Sequence, residues 1–266
     1  APKCPRIENV AEASPDTPLV VVVHGTFSCA VHVAVRIGEV RPDLQVARFE
    51  HDTFLSITEN IRALTEELQR LAVLGQRKVL LIAHSRGGLV ACQVAARLRS
   101  SHPAMKVRVW TLGTPHWGTP LASLGGGLAQ GMGALYRLCA RQRDGAFYAT
   151  YAEGAASYLT SVGQMPRGIS VMSEGSDFLD MHRLLAEGLD LKTWGAEYDI
   201  ASDSGLGHGL LLSTAVSEMF DGRLNDLVVP TQSAILDHSA SLQSCNHFQY
   251  FDHATFYSAL TSMSFT

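Results

Sequence analysis

The chain has 266 residues, of which 46% are hydrophobic and 17% are charged, and its formal net charge is −4. This length suits one large α/β domain with its own core. The slightly acidic balance gives no electrostatic support for nucleic-acid binding, and no apolar run approaches the roughly 20 residues of a membrane-spanning helix. These values predict a globular protein with a well-filled interior.

The five cysteines are an odd number and none has C-x-x-C spacing: Cys4, Cys29, Cys92, Cys139 and Cys245. The pattern indicates neither a disulfide framework nor a zinc site. The sequence starts at Ala1 without a signal-peptide pattern, which is compatible with a trimmed chain, a mature secreted form or a domain of a longer protein. A cytoplasmic location is slightly favoured over a secreted one, and the oligomeric state is left open.

Strand and helix patterns alternate through the first half of the chain. Strands are predicted at Leu19–Val23, Leu44–Phe49, Val79–Ala83 and Val107–Leu112. Helices are predicted at Cys29–Val40, after the capping-box pair Ser56 and Glu59, and at Gly87–Arg99. This alternation predicts an α/β fold with a mostly parallel central sheet and helices on both faces.

The second half has a looser pattern. The stretch Leu124–Gly163 is rich in glycine and alanine, with apolar residues at helical spacing. We interpret it as a small helical cap inserted at about 119–167 into a single domain spanning 1–266, with surface packing as the alternative. Thr193–Ile200 is expected to return to the sheet, and helices are expected near Leu210–Phe220 and at Phe251–Met263.

Ser85 is the strongest candidate for a nucleophile. It follows the apolar strand pattern that ends at Ala83 and precedes a helical pattern that begins at Gly87. A serine at such a strand-to-helix turn is presented on a strained elbow above the sheet. Ala83 occupies the first glycine position of G-x-S-x-G, and its small side chain still allows close packing. The alternative is an ordinary turn that contains a serine.

A serine nucleophile needs a base, and the base needs an acid that orients it. Asp226 fits the acid because it lies in a turn-like Asn-Asp pair before an apolar run, although turns and helix caps also favour aspartate. His247 and His253 are the candidates for the base. His253 resembles the first turn of the closing helix, so His247 is the better placed of the two on a loop.

An acyl-transfer site also needs two backbone N–H groups for the developing oxyanion. The amide of Arg86, directly after Ser85, is one candidate. The second is expected at Thr26 or Phe27, after a strand whose Gly25 allows a close backbone approach. His24 is interpreted as a structural residue because the elbow geometry requires a base from the C-terminal part of the chain.

Four segments occur in an order that resembles the α/β-hydrolase lipases and esterases. They are His24-Gly25-Thr26, Ala83-His-Ser-Arg-Gly-Gly88, Gly113-Thr-Pro-His-Trp-Gly118 and Asn225-Asp-Leu-Val-Val-Pro230. The likeness is greatest to bacterial lipases with an H-G-T oxyanion loop, and Val171–Leu179 resembles a stretch that follows the cap in such enzymes.

The resemblance implies catalytic roles for Ser85 as nucleophile, Asp226 as acid and His247 as base. The role of His247 as base is implied because His247-Phe-Gln-Tyr-Phe251 is similar to a pattern of this group. It also implies Thr26 and Arg86 as oxyanion amides. The chain departs from the family at Leu227, where lipases often have glycine.

No H-E-x-x-H motif and no close His/Asp/Glu ligand set is found, so no catalytic metal and no cofactor are predicted. Trp110, Trp117 and Trp194 are interpreted as core or pocket wall. The predicted function is that of a serine hydrolase acting on a small-molecule ester or lipid. The alternatives are an acyltransferase or thioesterase with the same triad, and a non-catalytic binding module of the same fold.

Overall fold

The computed structural model describes residues 6–8, 16–26, 28–53, 55–123, 167–200, 213–214, 216–236 and 241–265. The predicted cap at 124–163, the polar stretch at 202–209 and Phe27 lie outside the described residues. In the described ranges, no helix has the length and apolar character needed to cross a bilayer.

A six-stranded sheet forms the centre of the fold, in the order β1-β3-β2-β4-β5-β6. Its strands are β1 (Arg6–Glu8), β2 (Leu19–Val23), β3 (Gln45–Glu50), β4 (Lys78–His84), β5 (Lys106–Leu112) and β6 (Asp190–Trp194). Neighbouring strands are parallel except for β1, which pairs antiparallel with β3 and was not predicted. The prediction of a mostly parallel sheet is confirmed.

Helices cover both faces of this sheet. They are α1 (Val31–Val40), α2 (Ile57–Val73), α3 (Arg86–Ser101), α4 (Arg167–Ser170), α5 (Asp177–Ala186) and α6 (Ala254–Ser262). Buried residues of α2, α3 and α5 pack on one face, and those of α1 and α6 pack on the other. The strands are therefore apolar on both sides, as buried parallel strands require.

The predicted capping box at the start of α2 is present. The backbone N–H of Glu59 donates to Ser56 Oγ at 3.3 Å, and the backbone N–H of Ser56 donates to Glu59 Oε2 at 3.1 Å. Two otherwise unpaired helix-end donors are satisfied, which fixes where the chain leaves the loop after β3.

The prediction for Thr193–Ile200 was wrong in part. Strand β6 ends at Trp194, and β7 (Ala196–Glu197) pairs in parallel with β8 (Leu242–Gln243) in a separate sheet. A Cβ at the intervening Gly195 would lie 2.6 Å from the Thr231 carbonyl oxygen, so the chain turns where only glycine fits.

The C-terminal helix is shorter than predicted. A 3₁₀ turn covers Tyr250–Asp252, and α6 begins only at Ala254. Helical residues at 213–214 and 216–219 lie within the helix predicted near Leu210–Phe220. The remaining boundaries differ from the predicted ones by one or two residues, since caps and strand ends are set by contacts that periodicity does not report.

Candidate active site

Ser85 lies between β4 and α3 with φ 54° and ψ −131°. A non-glycine residue in this region costs about 1–3 kcal/mol, and such strain persists only where the surroundings enforce it. Two glycines allow the tight approach. A Cβ at Gly25 would lie 2.7 Å from Ser85 Cβ, and one at Gly87 would lie 2.5 Å from the His24 carbonyl oxygen.

The loop after β5 ties this elbow to the rest of the site. The Ser85 N–H donates to the Leu112 carbonyl at 2.9 Å, and the Thr114 hydroxyl donates to the Ser85 carbonyl at 2.9 Å. Gly113 lies between them with φ 57°, and a Cβ there would be 3.0 Å from both Asp226 Oδ2 and His247 Nδ1. The carboxyl ends of β4 and β5 thus place Ser85 near these two side chains.

Asp226 and His247 form a buried hydrogen-bonded pair. His247 Nδ1–H donates to Asp226 Oδ2 at 2.8 Å, and the side chains are 4% and 0% exposed. The backbone reinforces the pairing, because the His247 N–H donates to the Asp226 carbonyl at 2.9 Å. This tautomer leaves the lone pair of His247 on Nε2, where an imidazole accepts a proton.

The Asp226 carboxylate accepts four hydrogen bonds. Besides His247, the Tyr250 hydroxyl donates to Oδ2 at 2.8 Å, and the N–H groups of Val228 and Val229 donate to Oδ1 at 2.9 and 2.7 Å. Burial by itself raises the pKa of Asp226, but His247 and the two backbone N–H groups more than offset it and the pKa is lowered. The carboxylate is therefore held ionised.

Leu227, the departure from the lipase pattern, adopts φ 79°. Glycine occupies this left-handed region without strain, whereas leucine does not. The turn that aims the Asp226 side chain is therefore retained without glycine. It is supported by the Leu227 N–H, which donates to Asn225 Oδ1 at 2.9 Å, and by the burial of the Leu227 side chain.

His84 and Tyr250 are site residues that sequence reasoning missed. His84 Nε2–H donates to the His247 carbonyl at 2.7 Å, and the two rings lie 4.6 Å apart. Burial lowers the pKa of His84 to about 3, so the ring is neutral and acts as a donor. His84 directly precedes Ser85 and Tyr250 follows His247 by three residues, but this spacing does not by itself indicate the two contacts.

His253 is the N-cap residue of α6, one position before the first helical turn in which it was expected. Its Nδ1 accepts from the Thr255 N–H at 3.2 Å, and its side chain is partly exposed. The structure thus brings His247, and not His253, to Asp226.

The two amides implied for the oxyanion lie on either side of the Ser85 elbow. Helix α3 begins at Arg86, so its N–H is one of the helix-end donors without an intrahelical acceptor. Thr26 follows Gly25, which touches the elbow, and its hydroxyl is buried without a hydrogen-bond partner among the described residues.

The Arg86 side chain is fully buried and points away from solvent into the surrounding loops. Its Nε and Nη2 donate to the carbonyls of Gly168 and Leu55 at 2.9 and 3.0 Å, and burial lowers its pKa to about 10. The guanidinium therefore anchors two segments beside the elbow, a role that the sequence did not reveal.

The His24 ring makes two hydrogen bonds to backbone groups. Its Nδ1–H donates to the Gly25 carbonyl at 2.8 Å, and its Nε2 accepts from the His51 N–H at 3.2 Å. Burial lowers the pKa of His24 and keeps the ring neutral. These contacts orient the loop after β2.

The three tryptophans differ in burial. Trp110 and Trp194 pack edge to face in the core with centroids 5.3 Å apart. Trp117 is 51% exposed and is covered by the Arg183 guanidinium at 3.9 Å from the ring centroid. Trp117 therefore does not lie in the core, and its interpretation as pocket wall stays a prediction.

The fold is shared with solved structures at low sequence identity. The mature form of the Bacillus licheniformis lipase BlEst2 is 21% identical, with 98% of both chains covered and a TM-score of 0.64. Its propeptide form is 20% identical, with 99% of this chain but 54% of that chain covered and a TM-score of 0.60. The Burkholderia xenovorans LB400 enol-lactonase is 15% identical over 96% of this chain and 94% of its own, with a TM-score of 0.51.

These similarities show that the chain has the α/β-hydrolase fold. No curated protein matches its sequence. The model of a family described as "Domain of unknown function (DUF7379)" matches residues 3–264.

Proposed function

The chain belongs to the DUF7379 family, and we propose that it is a serine hydrolase that cleaves carboxylic esters through an acyl-enzyme intermediate. The observation that carries this proposal is the buried Asp226–His247 hydrogen bond beside the strained elbow of Ser85. A neutral imidazole oriented by an ionised carboxylate is what a serine hydroxyl requires for activation.

In the proposed reaction, Ser85 Oγ attacks the ester carbonyl carbon while His247 Nε2 takes the hydroxyl proton. Asp226 keeps its charge and stabilises the imidazolium through Nδ1–H. The oxyanion accepts from the amides of Thr26 and Arg86. When the intermediate collapses, the C–O bond to the leaving alcohol breaks, and His247 returns the proton to that alcohol.

Deacylation repeats these steps with water as the nucleophile. His247 takes a proton from the water, the hydroxide attacks the acyl carbon, and Ser85 leaves with the proton that His247 returns. Tyr250 and His84 act as positioning residues. Tyr250 donates to the Asp226 carboxylate and His84 donates to the His247 backbone, so both hold the acid–base pair in place.

The proposed substrates are small-molecule or lipid carboxylic esters. Two structural neighbours are named as a lipase and an enol-lactonase, and these names support an ester as the proposed substrate. A thioesterase or acyltransferase would use the same groups and would differ in the leaving group or in the nucleophile of deacylation.

Hydrolysis of a chain-length series of p-nitrophenyl esters tests the proposal. We expect turnover by the wild-type protein and loss of at least about 10⁴-fold in kcat for Ser85→Ala. Ser101→Ala, at the far end of the same helix, is the matched control and keeps wild-type rates. A folded Ser85→Ala protein that still hydrolyses the esters would overturn the proposal, and so would an inert wild-type protein, which would favour a binding module.

A further inference from the structure

A second cluster of reactive side chains lies away from Ser85, between the sheet and two of its helices. Cys92 comes from α3, His116 from the loop after β5, and His182 from α5. All three are buried, and each offers a ligand atom within 4.8 Å of the ligand atoms of the other two. The mechanism proposed above uses none of them.

The two imidazoles already face each other. His116 Nδ1 and His182 Nε2 are 2.8 Å apart, and the ring planes differ by 12°. The opposite nitrogen of His116, Nε2, lies 3.0 Å from the buried Thr111 hydroxyl. An oxygen that accepts from Nε2–H fixes the tautomer that leaves a lone pair on Nδ1, which is the usual support of a metal-binding histidine.

The facing nitrogens share one proton, which His182 Nε2 donates to the lone pair of His116 Nδ1, so His182 Nε2 binds an ion only after this proton moves to His182 Nδ1. His182 Nδ1 is buried without a hydrogen-bond partner among the described residues. His182 Nδ1 therefore takes the proton without losing an existing hydrogen bond, and each of the two facing nitrogens then presents a lone pair to an ion.

We propose that Cys92, His116 and His182 bind one Zn²⁺ ion. A sulfur and two imidazole nitrogens are the ligands that Zn²⁺ prefers, and three protein ligands leave one position of a tetrahedron open. The absence of a carboxylate or carbonyl oxygen from this ligand set argues against Ca²⁺ and Mg²⁺.

Binding requires local movement, a change of tautomer in His182 and the loss of one proton. With Zn–N bonds of about 2.0–2.1 Å, two nitrogens on a tetrahedral ion lie about 3.3 Å apart, so the histidine pair opens by about 0.5 Å. The ion displaces the Cys92 thiol proton, which leaves to solvent, and the Zn–S bond forms with the thiolate.

The ion would cross-link the elements that carry the candidate active site. Helix α3 starts at Arg86, directly after the elbow, and the loop that holds His116 begins at Gly113, which touches Asp226 and His247. Helix α5 is already linked to this loop by the Arg183 guanidinium, whose Nη1 donates to the His116 carbonyl at 3.3 Å. The proposed ion, with its one open position, adds a further link between these elements, and the site does not depend on the proposed ester hydrolysis.

Metal analysis and cobalt spectroscopy of the purified protein test this site. After chelator treatment and dialysis, we expect one equivalent of Zn²⁺ to rebind and raise the Tm. Co²⁺ should give a thiolate-to-metal charge-transfer band. Cys92→Ser should abolish the band and weaken Zn²⁺ binding by at least about 100-fold, whereas Thr111→Val should weaken it by about 10-fold.

Cys29→Ser is the matched control and should leave both the band and the affinity unchanged. If Cys92→Ser fails to fold, the Zn²⁺ affinity of His182→Gln is measured in its place. The presence or absence of the charge-transfer band in the wild-type cobalt spectrum then tests whether the thiolate binds the metal. A wild-type protein that binds less than a tenth of an equivalent of Zn²⁺ and shows no charge-transfer band would overturn the proposal. Retention of the band in a folded Cys92→Ser protein, or unchanged Zn²⁺ affinity in a folded His182→Gln protein, would also overturn it.

Discussion

Two buried imidazole centres lie near the carboxyl end of β5 and differ in the partner that each contains. At the first, the His247 ring donates to the ionised carboxylate of Asp226. At the second, His116 and His182 face each other and the Cys92 thiol, and no carboxylate completes the set. Both centres are shielded from water.

The difference shows how the neighbour of a buried histidine decides its chemistry. A carboxylate stabilises the imidazolium, so the ring can gain and lose a proton during a reaction. A second neutral imidazole and a thiol provide lone pairs but no negative charge, so protonation is disfavoured and cation binding is favoured. We therefore assign proton transfer to the first centre and metal binding to the second.

Removal of the base should produce the largest effect. His247→Ala is expected to lower kcat for ester hydrolysis by about 10⁴-fold or more, approaching the loss in Ser85→Ala, because the two groups act as a unit. His253→Ala, which removes a partly exposed helix cap, should cost less than about 10-fold. Steady-state kinetics on one p-nitrophenyl ester measures both.

The His247→Ala variant also shows whether the two centres are independent. His247→Ala should still bind Zn²⁺ with wild-type stoichiometry, because none of the three proposed ligands changes. An inactive His253→Ala protein beside an active His247→Ala protein, both folded, would show that the base has been assigned to the wrong histidine.

A methyl group at Gly113 should disturb the first centre next most strongly. Gly113→Ala puts a Cβ about 3.0 Å from Asp226 Oδ2 and His247 Nδ1, at a residue with φ 57°. We expect about 2–5 kcal/mol of destabilisation and about 100-fold lower kcat. Urea unfolding and ester hydrolysis measure the two effects.

Gly38→Ala is the matched control, since its Cβ meets nothing within 4 Å and lies inside α1. It should stabilise the protein by up to about 1 kcal/mol and leave kcat unchanged. A Gly113→Ala protein with the stability and kcat of Gly38→Ala would contradict the conclusion that the loop after β5 packs closely on the Asp226–His247 pair.

Loss of the Tyr250 hydroxyl should have a smaller effect. Tyr250→Phe removes one of four hydrogen bonds to the Asp226 carboxylate and leaves the other three. We expect about 10-fold lower kcat with little change in KM, because the bond orients the acid and does not touch substrate. Tyr257→Phe, on α6, should leave both constants unchanged. A Tyr250→Phe protein that changes KM but not kcat would contradict the positioning role.

The last expected effect is on the slope of stability against pH and not on catalysis. The pKa of His84 is lowered from 6.5 to about 3, so the unfolded chain binds this proton more readily than the folded one. The contribution of His84 to the free energy of unfolding is therefore complete above about pH 6.5. It is lost as the pH falls toward about 3, at up to about 1.4 kcal/mol per pH unit. His84→Gln retains a donor without this titration, so its free energy of unfolding should fall less steeply on acidification.

Denaturant unfolding at several pH values measures this slope. His102→Gln is the control, because His102 is partly exposed and its ring hydrogen-bonds the adjacent Ser101 hydroxyl at 2.9 Å. The slope of this variant should equal that of the wild type. Equal slopes for His84→Gln and wild type would mean that His84 does not stay neutral in the folded protein.

The sequence predicts the sheet and the Ser85 elbow well because both depend on local patterns. Strand β2 ends where the apolar run ends, and the capping box at Ser56 starts α2 where expected. The weaker predictions involve segments whose structure is set by distant contacts. Strand β7 leaves the main sheet at Gly195, where the Thr231 backbone fills the space beside it.

Side-chain contacts between residues far apart in the sequence were also predicted less well. Asp226 and His247 are 21 residues apart, and their motifs pointed to them, whereas the donor from Tyr250 and the His84 contact appear only in three dimensions. Cys92, His116 and His182 are separated by 24 and 66 residues and have no motif spacing. No sequence pattern groups them, and their proximity follows from the packing of α3 against both β5 and α5.

Covalent labelling with a fluorophosphonate tests most directly whether Ser85 and His247 form one catalytic unit. The wild-type protein should acquire a single adduct, which peptide mass spectrometry places on Ser85. His247→Ala should label at least about 100-fold more slowly and His253→Ala at nearly the wild-type rate. An adduct on a different residue, or wild-type labelling of a folded His247→Ala protein, would contradict the assignment.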